Sequence, residues 1–195
     1  MAEPALTAGR EFTHVRIVIG VVTGLALTRL LSGLALFLTH PERHRIYSAH
    51  LAWACFMMLF TIYFWWFQFS LVTVARWSFE RYLFVICYAA LIFLASAVLM
   101  PTAEPISYDA HFHARQRLFY GLLTAIFLMD IADTALKGAG RLQDYGAPYV
   151  MQQLLLAGMA IAAMLVRNRW YHRLFALVAM AALILWILSR LEYLD

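Results

Sequence analysis

The sequence predicts an all-α membrane protein with six transmembrane helices, and three observations predict it. Of the 195 residues, 64% are hydrophobic and only 13% charged, against roughly half and a quarter in soluble domains. Apolar runs of about 20 residues, each enough to cross a hydrocarbon core of roughly 30 Å as a helix, recur six times. The connectors between them are short, so a single polytopic domain is expected over residues 1–195, with no room for a soluble one.

The first run, 14–38, carries Gly20 and Gly24 at a small-xxx-small spacing that lets another helix approach closely. This helix is expected to be central, touched on both faces. Residues 1–13 lack the basic start, apolar middle and small-residue cleavage site of a secretory signal, so it is also expected to be retained. The second run, 47–70, ends in "IYFWWFQF" (62–69), whose aromatics read as a belt at the headgroup level; an aromatic cage for a quaternary ammonium is the rival reading. Cys55 in this run and Cys87 in the third, 80–100, have neither a CxxC nor a metal-ligand spacing and are expected to pack as small side chains. The fourth run, 116–137, holds "FLMDIADTALK", the fifth, 148–166, holds Gln152 and Gln153, and the sixth is 171–190.

Six crossings put both ends of this stretch on one side, here called the N side. Lys and Arg then divide seven against seven between the two sides, with Arg29 inside a span, so the positive-inside rule sets no orientation. Such a tie prompts a search for two inverted three-helix repeats. A shift of 101 residues aligns Arg16, Gly20, Thr23 and Leu27 with Arg117, Gly121, Thr124 and Leu128. A shift of 92 aligns Arg81 and "AALI" (89–92) with Arg173 and "AALI" (181–184), while the second and fifth helices align with nothing. The net charge of +4 does not indicate nucleic acid, because its arginines sit at helix ends where they meet lipid headgroups.

Three charged residues lie well inside the spans: Arg29, Asp130 and Asp133. A charge at the bilayer centre costs on the order of 3 kcal/mol on insertion scales, so such residues pair or line a wet cavity. By depth, an ion pair between Arg29 and Asp130 is expected near mid-bilayer, since their side chains lean toward each other on antiparallel helices. Asp130, Asp133, Thr134 and Lys137 share one helical face, because three, four and seven residues nearly complete whole turns. Ser32 and Gly33 lie beside Arg29 on the first helix. Lys137, followed by "GAG", reads as a C-terminal cation before a capping glycine, snorkelling outward.

Function follows from this polar face. The leading expectation is a transport protein, a channel or carrier for an ion, proton or small solute, with a site between the first and fourth helices. Arg29, Asp130, Asp133, Ser32, Thr134 and Lys137 would form it, with Asp133 exchanging a proton or cation. An assembly or sensor subunit with an architectural Arg29–Asp130 clasp is the alternative. A haem-binding redox protein is the third, because six of seven histidines, His40, His44, His50, His111, His113 and His172, fall opposite the N side. "HFH" (111–113) lacks a carboxylate or Cys at ligand spacing, so no metal or other cofactor is expected. There is no GxSxG, HExxH or P-loop, so no enzyme is expected either. The expected partners are the lipid bilayer, the transported species and, through homo-oligomerisation, further copies of the chain. The expected location is the inner (plasma) membrane of a bacterium.

Overall fold

The computed structural model describes residues 3–39, 48–74, 77–100 and 108–190. Every regular element among them is a helix: α1 (Glu3–Thr39), α2 (Ser48–Phe67) continued by a 3-10 segment (Gln68–Thr73), α3 (Phe79–Leu99), α4 (Tyr108–Leu136), α5 (Ala139–Leu165) and α6 (Arg169–Ser189). All six α-helices are long and apolar enough to cross a membrane. The chain is an integral membrane protein. The turn "HPERHRI" after Thr39, with Arg43, Arg45, His40 and His44, and most of the Pro-containing connector lie outside the described residues.

Lipid dictates this architecture, because a helix satisfies its own backbone hydrogen bonds where water cannot. Large apolar side chains cover the outside, among them Val21 and Leu25 on α1, Leu155 on α5 and Leu185 on α6, each more than half exposed. Inside, Trp53 of α2 is fully buried and meets Phe56, Phe119, Tyr120 and Phe175 edge-on. Ser78 caps the start of α3, its side chain accepting from the Arg81 amide, and Asn168 caps α6 in the same way through the Trp170 amide.

Three helices depart from their sequence-predicted limits, the first being α1, which begins at Glu3, eleven residues before the apolar run. The helix α4 begins at Tyr108, about two turns before the apolar run, and its first turns bury Tyr108 and Phe112 against the bundle. The helix α5 begins at Ala139 but breaks at Gly146, whose φ of 70° and ψ of −175° suit glycine alone, and restarts around Pro148. The break sets Tyr145 and Tyr149 at 5.4 Å, ring to ring, across the kink.

The packing corrects two expectations. The helix α1 is peripheral: it packs on α2 and α3, while Gly24 is exposed with nothing within 4 Å of where a Cβ would stand. Gly24 therefore faces outward, while Gly20 lies against Trp65 of α2. The two halves also pack differently, α1 along α3 but α4 along α5, so three-helix units are not repeated in the packing.

Candidate functional site

The last turns of α4 turn their polar face toward α3, α5 and the end of α2. Asp130 is half-buried there, and Asp133 and Thr134 are fully buried. The Asp130 carboxylate is held by three neutral donors. Its Oδ1 accepts from the Tyr88 hydroxyl of α3 at 2.9 Å, and its Oδ2 accepts from the Tyr149 hydroxyl of α5 at 2.8 Å and from the Gln153 amide. Tyr149 and Gln153 are one turn apart, so a single face of α5 supplies both. With its proton spent on Asp130, the Tyr149 hydroxyl accepts from Thr134 at 2.9 Å.

Asp133 is held differently. Its Oδ2 accepts from the Lys137 ammonium one turn later and from the Gln68 amide at 3.4 Å. Both side chains of the ion pair are fully enclosed, and the ammonium sits 3.7 Å from the centre of the Phe67 ring. Lys137 therefore does not snorkel outward. Gly138 behind it has a φ of 145°, which turns the chain so that Lys137 can fold back while the Gly138 amide bonds the Ala135 carbonyl. The capping-glycine expectation holds while the outward lysine is corrected. A buried carboxylate one turn away attracts the ammonium more strongly than distant headgroups do.

The expected Arg29–Asp130 ion pair does not form. Arg29 donates from Nη2 to the Met100 carbonyl at 2.7 Å, at the far end of α3 from the N side. Tyr88, which touches Asp130, is twelve residues earlier on that helix, or roughly 18 Å at 1.5 Å per residue. The two side chains thus meet α3 at its middle and at its end, with α3 packed between their helices. Gly33, one turn after Arg29, is the reason α1 and the end of α3 come so close: a Cβ there would collide with the Met100 side chain. Ser32 is exposed and apart from the cluster. The polar site is therefore built on α4 with α2, α3 and α5, not between α1 and α4.

Beside Asp130 opens a cavity of about 20 Å³ among α2, α4, α5 and α6, lined in part by Phe60, Phe127, Gln152, Gln153 and Trp186. Of the aromatic stretch at 62–69, Trp65 and Trp66 are partly exposed as a belt requires, while Phe64 and Phe67 are buried. Arg16 stacks 4.0 Å above Phe69 at the same level. The tyrosines Tyr88 and Tyr149 escaped the sequence reading, although a mid-span Tyr hydroxyl always needs a partner.

At the opposite mouth the histidines divide. His50 meets the Leu99 carbonyl at 2.7 Å, His172 meets the Tyr120 hydroxyl at 2.9 Å, and His113 joins Gln116 and Asp109. The rings of His50 and His172 are fully buried, and each meets a protein group through one ring nitrogen. Among the described residues no three His, Cys, Asp or Glu side chains are grouped to hold a metal ion. The chain matches no family model, no curated protein and no solved structure.

Proposed function

We propose that this protein moves a proton or small cation across a bacterial inner membrane, as a channel or carrier, with Asp130 as the exchanging group. One observation carries the reading: Asp130 is a carboxylate within a membrane span that lines a cavity and accepts, among the described residues, hydrogen bonds from three neutral donors. Such a group takes up and releases a cation without breaking a salt bridge. Asp133, locked to Lys137, is not free to do so, and the exchanging role foreseen for it passes to its neighbour three residues earlier. Intramembrane acids that line cavities are the usual stations of ion and proton pathways.

A second reading has its own support. The enclosed Asp133–Lys137 pair and the Arg29 contact with Met100 are both clasps between or within helices, as an assembly or sensor subunit would need. Proton and cation flux into liposomes separates the two. Asp130→Asn should abolish flux in a folded protein, and the absence of flux from wild-type liposomes under every imposed gradient would leave the assembly reading standing.

A further inference from the structure

The Tyr149 hydroxyl has one hydrogen and three partners. It lies 2.8 Å from Asp130 Oδ2, 3.0 Å from the Asp130 main-chain carbonyl and 2.9 Å from the Thr134 hydroxyl. Its hydrogen serves one of the two Asp130 oxygens at a time, and rotation about the phenolic C–O bond carries it from one to the other. With Asp130 charged, Tyr149 donates to Oδ2 and accepts from Thr134. With a proton on Oδ2, that proton is donated to the Tyr149 oxygen, whose other lone pair still takes the Thr134 hydrogen, while the Tyr149 hydrogen turns to the main-chain carbonyl. Tyr88 keeps its bond to Oδ1 and the Gln153 amide its bond to Oδ2 in both states. Every hydrogen bond of the charged state thus has a counterpart in the neutral one.

We infer that Asp130 exchanges the proton, and that Tyr149 selects it as a pivot whose hydroxyl turns between the carboxylate and the main-chain carbonyl. The assignment rests on Asp130 as the exchanging group and names what it exchanges. A metal cation at the same carboxylate needs several oxygen lone pairs aimed at it, about six for magnesium. Both carboxylate oxygens instead face hydrogens, from Tyr88, Tyr149 and Gln153. Among the described residues, Tyr88 and Gln153 have no second acceptor for those hydrogens, so a metal cation would leave them unpaired. A proton asks one hydroxyl to turn. The cavity of about 20 Å³ beside Asp130 admits one water, which needs about 10–15 Å³, to bring the proton to the carboxylate; Gln152 and Tyr63 line it as further polar partners. The titratable groups around Asp130 are Tyr63 of α2, Tyr88 of α3, Tyr149 of α5, and Asp133 and Lys137 of α4, which pair with each other, while α6 presents Trp186.

Infrared titration of the protein in phosphatidylcholine vesicles tests it. As the pH falls, a protonated-carboxyl band should appear in the wild type that is missing from Asp130→Asn. Replacing choline chloride by sodium chloride at fixed pH and ionic strength should leave that band unchanged, whereas a competing metal cation would remove it. In Tyr149→Phe the band should move to higher frequency, because the acid proton has lost its acceptor, and proton flux should fall at least tenfold. Removal of the band by sodium, or an unshifted band in Tyr149→Phe, would each overturn the assignment. The sodium arm needs only the wild type, so it decides even where a variant fails to fold. A titrating band in vesicles that pass no protons would count against transport alone, and sodium flux with no such band at any pH against this inference alone.

Discussion

Asp130 and Asp133 stand three residues apart on α4 and share a helical face, yet their partners divide them. Asp133 lies fully buried against a buried ammonium. Removing one member of a buried pair leaves an uncompensated charge, at a cost of about 3–5 kcal/mol. Asp133→Asn and Lys137→Met should each lower thermal stability in detergent by that order. The double variant Asp133→Leu/Lys137→Met should recover most of the loss, because apolar replacement of an entire pair is close to neutral. A double variant as unstable as the singles would contradict the pairing. The polar face itself was legible in the sequence, since the spacing of Asp130, Asp133, Thr134 and Lys137 follows from the 3.6-residue repeat. Its partners were not, because Tyr88 and Tyr149 look in sequence like any membrane-span aromatic.

At the scale of elements, the break in α5 matters most. Gly146 lets the helix restart at Pro148, and the new segment presents Tyr149 and Gln153 to Asp130. The backbone at φ 70° and ψ −175° is open to glycine and strained for any residue with a Cβ, by about 1–3 kcal/mol. Gly146→Ala should lower the unfolding midpoint and, by shifting Tyr149, reduce any flux that depends on Asp130. Hydrogen exchange followed by mass spectrometry should show faster exchange confined to α5 near the kink. Uniform exchange along the helix, unchanged from wild type, would mean that the break does not hold the site. The apolar run read from the sequence begins at residue 148, at this boundary, and the preceding turns from Ala139 to Tyr145 did not announce themselves as helix.

Over the whole molecule, α3 stands between α1 and α4 and separates the charge of Arg29 from that of Asp130. The arginine tethers α1 to the end of α3, where the helix dipole also favours a cation. Arg29→Met should therefore leave flux within about twofold of wild type while lowering stability, whereas Asp130→Asn should remove flux and leave the fold intact. Parallel flux and melting measurements on the two variants check this; equal loss of flux in both would reunite the charges in one path. Across the bundle, Trp53 of α2 donates to Tyr120 of α4 at 3.0 Å, and Tyr120 meets His172 of α6. Three helices are thus joined at the histidine-rich end, far from Asp130.

The sequence by itself determined six helices long and apolar enough to span a membrane and the acidic face of α4. Lipid makes those features readable, because it admits only chain segments that satisfy their own backbone and tolerates few charges within them. Only the tertiary structure decided which helices surround that face, why Arg29 turns away from it, and that Lys137 folds inward. The physical reason lies in the solvent. Hydrocarbon is as apolar as leucine, so an apolar residue facing lipid and one facing another helix satisfy the same requirement, and no hydrophobic pattern marks the packed side. Neighbours are then chosen by shape, as Gly33 admits Met100, and by hydrogen bonds between groups distant in sequence, as Gln153 reaches Asp130.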